Sequence, residues 1–235
     1  MPNKVLIIIP TYNERENIVP LIEGIFTVLP AVDILFIDDS SPDGTGEIID
    51  SVSKMDSRVT LIRRASKLGL GTAYVTGFKY ALSNDYKFIF QMDADFSHHP
   101  RYLKQLLREA ENYPIVLGSR YVKGGTVRGW SIYRKILSRF GSFYARLLLG
   151  LKIRDLTSGY KCFQRRVIKE ILTASLNSEG YVFQIETIYK AYKRGFSIKE
   201  IPIVFENRRK GASKISKKIV LEAAFKVPLM AVKRC

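Results

Sequence analysis

Cysteine is scarce in this chain. Its 235 residues hold two, Cys162 and Cys235, far apart and in no metal-ligand spacing. They read as free thiols in a reducing compartment. Histidine is as rare: His98 and His99 are adjacent and precede Pro100, which reads as the entry turn of a helix rather than a ligand pair. Long apolar runs are missing too. None approaches the ~18 uncharged apolar residues of a spanning helix, so the chain as given is not expected to cross a membrane. Lys4–Ile9 has a basic residue and an apolar run, but it is short and meets Pro10-Thr11-Tyr12-Asn13 with no small-residue cleavage site. It reads as a first strand, not a secretory signal. No internal repeat, low-complexity tract or linker cuts out a second domain.

Acid is also in deficit, with 22 Asp and Glu against 38 Lys and Arg and a net charge of +16. Such a balance points to phosphate-rich partners: nucleotides, nucleic acid or an anionic membrane surface. What is present in quantity is core material. A hydrophobic content of 46%, with 13 Phe and 13 Tyr, excludes a disordered chain. The length suits one large α/β domain, or a domain plus an appendage.

Apolar runs and helical periodicities alternate along the first half. Val5–Ile9 is continuous and β-branched, as in a strand buried on both faces. Asn13 with Glu16 resembles a capping box, Asn17 is a second candidate cap, and Ile18, Leu21, Ile22, Ile25, Phe26 and Leu29 share a helix face. Ile34–Ile37 is a second strand, closed by the turn Asp38-Asp39-Ser40-Ser41-Pro42-Asp43-Gly44. A helix over Thr45–Lys54 and a strand over Val59–Ile62 follow. A Gly-punctuated loop, Lys67 to Thr72, then opens a helix that runs to about Leu82. Tyr86–Phe90 is a fourth strand. His99-Pro100 opens a helix with Leu103, Leu106, Leu107 and Ala110 inward, and Ile115–Gly118 is a fifth strand. This order implies a mainly parallel sheet with helices on both faces, and ligands of such sheets bind outside the carboxyl ends of the strands. Pro10–Glu14, Asp38–Asp43, Lys67–Gly71 and Asp93–Ser97 all fall there.

Asp93 and Asp95 close the fourth strand. Side chains two apart on a strand point the same way, so both carboxylates can aim at one hard cation, Mg2+ or Mn2+, carrying substrate phosphates. A bare Asp-x-Asp is common; the other three strand-end loops are what give this one weight. Gly69-Leu70-Gly71 invites a dinucleotide reading, but position 74 is Tyr and the unit is the third, which disfavours a nucleotide-dependent oxidoreductase.

The second half changes character. Arg120–Trp130 is a Gly-rich basic loop. A helix over Tyr133–Leu151 carries Arg134, Lys135, Arg139 and Arg146 among apolar residues. A short strand lies near Lys161–Phe163, Val182–Arg194 is helical, and Ile198–Phe205 is a strand whose Pro202 puts it at an edge or a bulge. Asn207–Ser213 is a basic, Gly-containing loop. Arg139 reads as part of a solvated face, Cys162 as core. Glu186 has two readings, an orienter of a basic site residue or a structural ion pair. Residues 217–235 alternate apolar and basic, with Pro228 as a break. They read as an interfacial helix or as a helix packed on the domain. The expected division is a catalytic-type domain over 1–213 and an amphipathic, membrane-interfacial segment over 214–235. No nucleic-acid module or aromatic–basic repeat is present, so nucleic acid is not an expected partner.

The order of motifs resembles a known family. Ile9-Pro10-Thr11-Tyr12-Asn13-Glu14, Asp38 to Gly44, Leu68-Gly69-Leu70-Gly71-Thr72-Ala73 and Asp93-Ala94-Asp95-Phe96-Ser97-His98 resemble the inverting GT-A glycosyltransferases of family 2. Gly118-Ser119-Arg120-Tyr121-Val122-Lys123-Gly124-Gly125, Gly129-Trp130, Arg134 to Arg139, Asp155-Leu156-Thr157-Ser158-Gly159, Gly180-Tyr181-Val182-Phe183-Gln184-Ile185-Glu186 and Gly211-Ala212-Ser213-Lys214 are similar to dolichol-phosphate (polyprenol-phosphate) mannose synthases. The resemblance spans Lys4 to about Lys214. It implies an α/β, Rossmann-like GT-A fold with a C-terminal amphipathic helix. It implies inverting transfer of mannose from GDP-mannose to dolichyl or polyprenyl phosphate. A UDP-glucose-dependent glucosyltransferase is the alternative within the class, and a non-catalytic basic membrane- or nucleic-acid-binding protein the one outside it. Pro10, Tyr12, Glu14, Ile37 and Asp39 would then hold the nucleoside, and Lys67, Gly69 and Leu70 would line its pocket. Asp93, Ala94 and Asp95 would hold the metal and the sugar-nucleotide; Arg120, Arg134, Ser138, Arg208 and Lys214 would meet phosphates. Ser97 departs from relatives with Gln there and is a shorter ligand, so two protein carboxylates are expected in the metal shell. The implied location is cytoplasmic and peripheral on the cytoplasmic face of a membrane, with a small membrane-protein subunit as a further partner.

Overall fold

The computed structural model describes residues 4–174, 176, 178–207 and 225–231. A seven-stranded sheet forms its centre, built from β1 (Val5–Thr11), β2 (Asp33–Asp38), β3 (Val59–Arg63), β4 (Phe88–Gln91), β5 (Ile115–Ser119), β7 (Lys161–Gln164) and β8 (Ile198–Pro202) in the order β3-β2-β1-β4-β7-β5-β8. β7 runs antiparallel to both its neighbours, while the other pairings are parallel. A second sheet pairs β6 (Thr126–Val127) with β9 (Val204–Phe205).

Two cores flank the sheet because strand side chains alternate. In β1, Leu6 and Ile8 enter the core under α3 (Leu70–Ser83), α6 (Arg165–Thr173) and α7 (Gly180–Lys193). Val5, Ile7 and Ile9 enter the core under α1 (Arg15–Val28), α2 (Thr45–Met55) and α4 (Leu103–Ala110). Burial on both faces explains the unbroken β-branched run. Each fully buried aliphatic side chain contributes roughly 1.5–3 kcal/mol, far more than the local propensities that suggested the element boundaries. Among the described residues the longest helix is α5 (Ile132–Leu149). Ser131 caps it by accepting from the Arg134 amide, and Gly150, at φ 65°, ends it.

Several boundaries differ from expectation. There is no capping box at α1: Asn13 adopts a left-handed φ of 58°, Glu14 is the cap residue, and Asn17 is buried and donates to Glu14 Oε2. α6 forms where the sequence predicts only a connection. The strand expected over Ile198–Phe205 is two strands: the Ile203 amide still donates to the Ser119 carbonyl of β5, while its carbonyl accepts from Thr126, so the chain there exchanges β5 for β6 as its partner. Pro202 does sit at the end of the edge strand. Pro228 lies inside the helical residues 225–231 rather than breaking them. Val227, Met230 and Ala231 pack on the α3/α6/α7 core while Phe225 and Leu229 stay exposed, so tertiary packing outweighs the local penalty of proline. The rest of the expected 214–235 segment, and the basic loop beyond Asn207, lie outside the described residues.

Candidate active site

Strand order reverses at β1, which lies between β2 and β4. Outside the carboxyl ends at this switch point opens a cleft of about 450 Å3. Its floor and one wall come from the four loops singled out in the sequence; its other wall comes from β5, α5, the turn before β7, and the start of α7.

The first wall is held by short-range polar contacts. Asp38 accepts from Thr11 Oγ1 (3.0 Å) and from the Ser41 amide and hydroxyl. Asp43 accepts from the Thr45 amide and hydroxyl and from the Arg15 amide. Burial would raise the Asp43 carboxyl, but these hydrogen bonds outweigh it and leave it below its ordinary value. Both residues thus tie the β1 and β2 loops together. Asp39 faces the cleft instead, pairs with Arg64 and accepts from the Gly69 amide at 3.1 Å. Lys67 lies 3.8 Å over the Tyr12 ring, a flat face beside a positive charge suited to a nucleoside phosphate.

Asp93 and Asp95 project from the end of β4. Ser97 donates its amide to Asp95 Oδ1 (3.0 Å). The Ser97 hydroxyl is buried, lines the cleft and among the described residues has no hydrogen-bond partner. An orphaned buried hydroxyl beside two carboxylates fits an oxygen-only shell for Mg2+ or Mn2+, ions that keep several waters. Among the described residues no group of three His, Cys, Asp or Glu forms a denser metal cluster. His98 serves structure: its Nδ1 accepts from the Asp93 amide at 3.0 Å, and its ring stacks on Tyr160. Burial holds it below its ordinary pKa although Asp93 and Asp95 pull the other way.

The second wall carries buried charge. The Arg120 guanidinium forks onto Asp155 at 2.7 and 2.6 Å and donates to Thr157. Burial would lower its pKa, and Asp155 more than reverses that. Arg134 extends over the Trp130 ring at 3.9 Å, from the first turn of α5 to the cleft. Glu179 reaches across to the start of α3, accepting from the Gly71 amide (2.8 Å) and the Thr72 amide (3.3 Å). It caps that helix and is committed there rather than available as a base. The two glycines make the approach feasible: a Cβ on Gly69 would sit 2.6 Å from Glu179 Oε2, and one on Gly71 2.3 Å from the Ser178 carbonyl. Glu186 pairs with Lys190 (2.6 Å) and accepts from the Ser178 amide, so of its two readings the structural ion pair is the one realised.

Pro10, Tyr12, Glu14, Asp39, Lys67, Gly69, Leu70, Asp93, Ala94, Asp95, Arg120 and Arg134 all line this cleft. Two expected residues do not. Ile37 is fully buried in the α3/α6/α7 core, because its strand alternation turns it away from the loop end. Ser138 accepts from the Tyr121 hydroxyl at 2.7 Å on α5. Arg208 and Lys214 lie outside the described residues. The cleft adds Thr157, Glu179, Tyr181, Gln184 and Phe205, to which no role had been given. One signal was legible: Gln184 is a polar residue in an otherwise apolar inward stretch, Val182 to Ile185.

A mainly parallel sheet with a carboxylate pair at a switch-point cleft defines the GT-A class of glycosyltransferases. The chain belongs to glycosyl transferase family 2, whose description matches residues 6–172. It is 46% identical over 227 residues to a polyprenol monophosphomannose synthase of Mycolicibacterium smegmatis, covering 95% of this chain and 85% of that protein. It is 40% identical over 224 residues to an undecaprenyl-phosphate mannosyltransferase of Micrococcus luteus, covering 95% and 92%. Among solved structures, glucosyl-3-phosphoglycerate synthase from Mycobacterium tuberculosis, in complex with Mn2+, UDP-glucose and glycerol 3-phosphate, shares the fold. The TM-score is 0.66 at 18% identity, over 100% of this chain and 80% of that one.

Proposed function

We propose that this chain transfers mannose from GDP-mannose to a dolichyl or other polyprenyl phosphate by single displacement with inversion, giving a β-linked polyprenyl-phosphate mannose. The observation that carries the reading is one cleft with two differently suited ends. Asp93, Asp95 and Ser97 form an oxygen-only donor set at the nucleotide end. At the other, Arg134 sits in the cleft at the head of α5, whose outer face exposes Ile132, Tyr133, Ile136, Phe140 and Leu147. The names of the two bacterial relatives support the acceptor class.

Asp93 and Asp95, with Ser97, would hold Mg2+ or Mn2+; when bound, such a cation neutralises the charge that develops on the departing diphosphate. Tyr12, Lys67 and Asp39 bind and orient the nucleoside. The acceptor is a phosphate ester already deprotonated at neutral pH, so no general base is needed. Arg134 brings this second anion beside the first, and Arg208 and Lys214, outside the described residues, would supply further charge as the resemblance implies. The buried Arg120 contributes a fixed positive charge from the wall. Pro10, Glu14, Ala94 and Leu70 shape the pocket. The exposed apolar face of α5, ringed by Arg134, Lys135, Arg139 and Arg146, suits a peripheral position on the cytoplasmic face of a membrane, where a small membrane-protein subunit is a further partner. Among the described residues no helix is long and apolar enough to cross one.

Incubation with labelled GDP-mannose or UDP-glucose, a polyprenyl phosphate, and Mg2+, Mn2+ or chelator tests the reading. Mannosyl lipid forming only with metal and only from GDP-mannose is the expected result. Asp95→Ala should lower the rate by on the order of 10^3-fold or more. An α-linked product would overturn the inversion, and glucosyl lipid the choice of donor.

A further inference from the structure

Lys161 is the least expected buried residue of the fold. It opens β7, the antiparallel strand between β4 and β5, and none of its surface is exposed. A lysine is almost never fully buried without a partner. Among the described residues no carboxylate lies within ion-pair distance of its ammonium. Its hydrogen bonds go to the Gln184 carbonyl oxygen (3.3 Å) and to Gln184 Oε1. Burial pushes it down to about 7, with Asp155 and Asp93 pulling upward. The alternation of β7 explains the meeting: Phe163 enters the α3/α6/α7 core, and Lys161, two residues earlier, points to the same side, toward α7.

This contact orients the amide. An ammonium has only donors, so the Gln184 atom facing it must be the oxygen, and the NH2 must face away. Gln184 lines the cleft, and among the described residues its side-chain hydrogen bond is the one its Oε1 accepts from Lys161, with none found at its NH2. A Cβ built on Gly159 would lie 3.4 Å from Gln184 Nε2 and 3.7 Å from Asp93 Oδ1. The amide NH2 and the Asp93 carboxylate therefore converge on one space that glycine keeps open.

We propose that Gln184 binds an oxygen of the donor sugar-diphosphate, a hexose hydroxyl or a phosphate oxygen, as an obligate hydrogen-bond donor, and that Lys161 is the positioning residue that fixes its amide. The inference rests on the nucleotide-sugar reading of the cleft. It assigns a binding role to Gln184 and a purpose to the buried lysine that packing alone does not require.

Gln184→Glu is the primary variant. It keeps the shape and gives Lys161 a carboxylate partner, so the fold should unfold at or above the wild-type midpoint. It also removes the NH2 and places an anion toward the donor. The donor KM and the dissociation constant of GDP-mannose, measured by calorimetry without acceptor, should both rise about tenfold to a hundredfold. The acceptor KM should stay unchanged. Lys161→Met should raise the donor KM less, and should add nothing in a Gln184→Ala background, because the clamp acts only through that amide. Binding of GDP alone separates the two oxygens: an unchanged value assigns the hexose hydroxyl, a weakened one the diphosphate. Wild-type donor affinity in Gln184→Glu would overturn the proposal, as would an independent, additive loss from Lys161→Met. Wild-type protein that binds no GDP-mannose would instead overturn the underlying reading of the cleft.

Discussion

The two walls of the cleft face each other but are built on different physics. On the β1–β4 side, carboxylates are stitched to nearby backbone amides and hydroxyls: Asp43 to Thr45, Asp38 to Ser41. Most such contacts are local turn chemistry, and each stabilises by about 1 kcal/mol. On the β5–β7–α7 side, charges are buried in pairs, Arg120 with Asp155 and Lys190 with Glu186, and Lys161 is buried against an amide. Their mutual attraction has to offset a large desolvation cost, so removing one partner is far worse than losing a surface contact. The difference teaches that the turn contacts near the nucleotide end, the buried Asp39–Arg64 pair excepted, tolerate local change, whereas on the opposite wall each buried charge depends on its partner.

That contrast breaks most clearly at Asp155. Asp155→Ala should leave the Arg120 guanidinium, 3% exposed, without its counter-charge and destabilise the fold by about 3–5 kcal/mol. Urea unfolding measures it, and a loss below about 1 kcal/mol would erase the distinction between the walls. On the other side, Asp43→Ala should cost about 1 kcal/mol at neutral pH. The sign with pH follows from the lowered carboxyl. Its stabilisation is fully present above the unfolded value of ~3.9 and fades as pH falls through the lower folded value. The gap between wild type and Asp43→Ala, followed by denaturant titration at several pH values, should close below about pH 4. Ser97→Ala is the smallest change. Removing an unpartnered buried hydroxyl should leave the unfolding midpoint the same or slightly higher. The metal concentration for half-maximal activity should rise about twofold to fivefold, as expected for a weak hydroxyl ligand that water replaces.

Much of the first wall was legible before folding. Val5–Ile9 announces itself as a strand buried on both faces, Ile34–Ile37 and Val59–Ile62 as further strands, and the loops after them are marked by Asp, Gly and Pro. Position along the sheet then places Asp39, Lys67 and Asp93 on one edge. The second wall was not legible in the same way. The resemblance gives Arg120 and Ser138 phosphate contacts; Arg120 lines the cleft with its guanidinium forked onto Asp155, and Ser138 meets Tyr121 outside it. α6 was missed and the last strand was split. α6 forms where Val167, Ile168 and Ile171 find the core under α3 and α7, and the last strand divides where it exchanges β5 for β6, and neither is a property of neighbours in sequence.

By itself, then, the sequence determined the alternation of strands and helices, the strand-end loops and the carboxylate pair Asp93/Asp95. Those depend on periodicity and turn chemistry within a few residues. Only the tertiary structure decided which charges face the cleft and which are buried against partners. Asp155 lies 35 residues from Arg120, Gln184 lies 23 from Lys161, and Glu179 lies 108 from Gly71. Desolvation penalises each of these charges unless a partner arrives from another strand or helix, so their roles exist only once the sheet has brought those segments together.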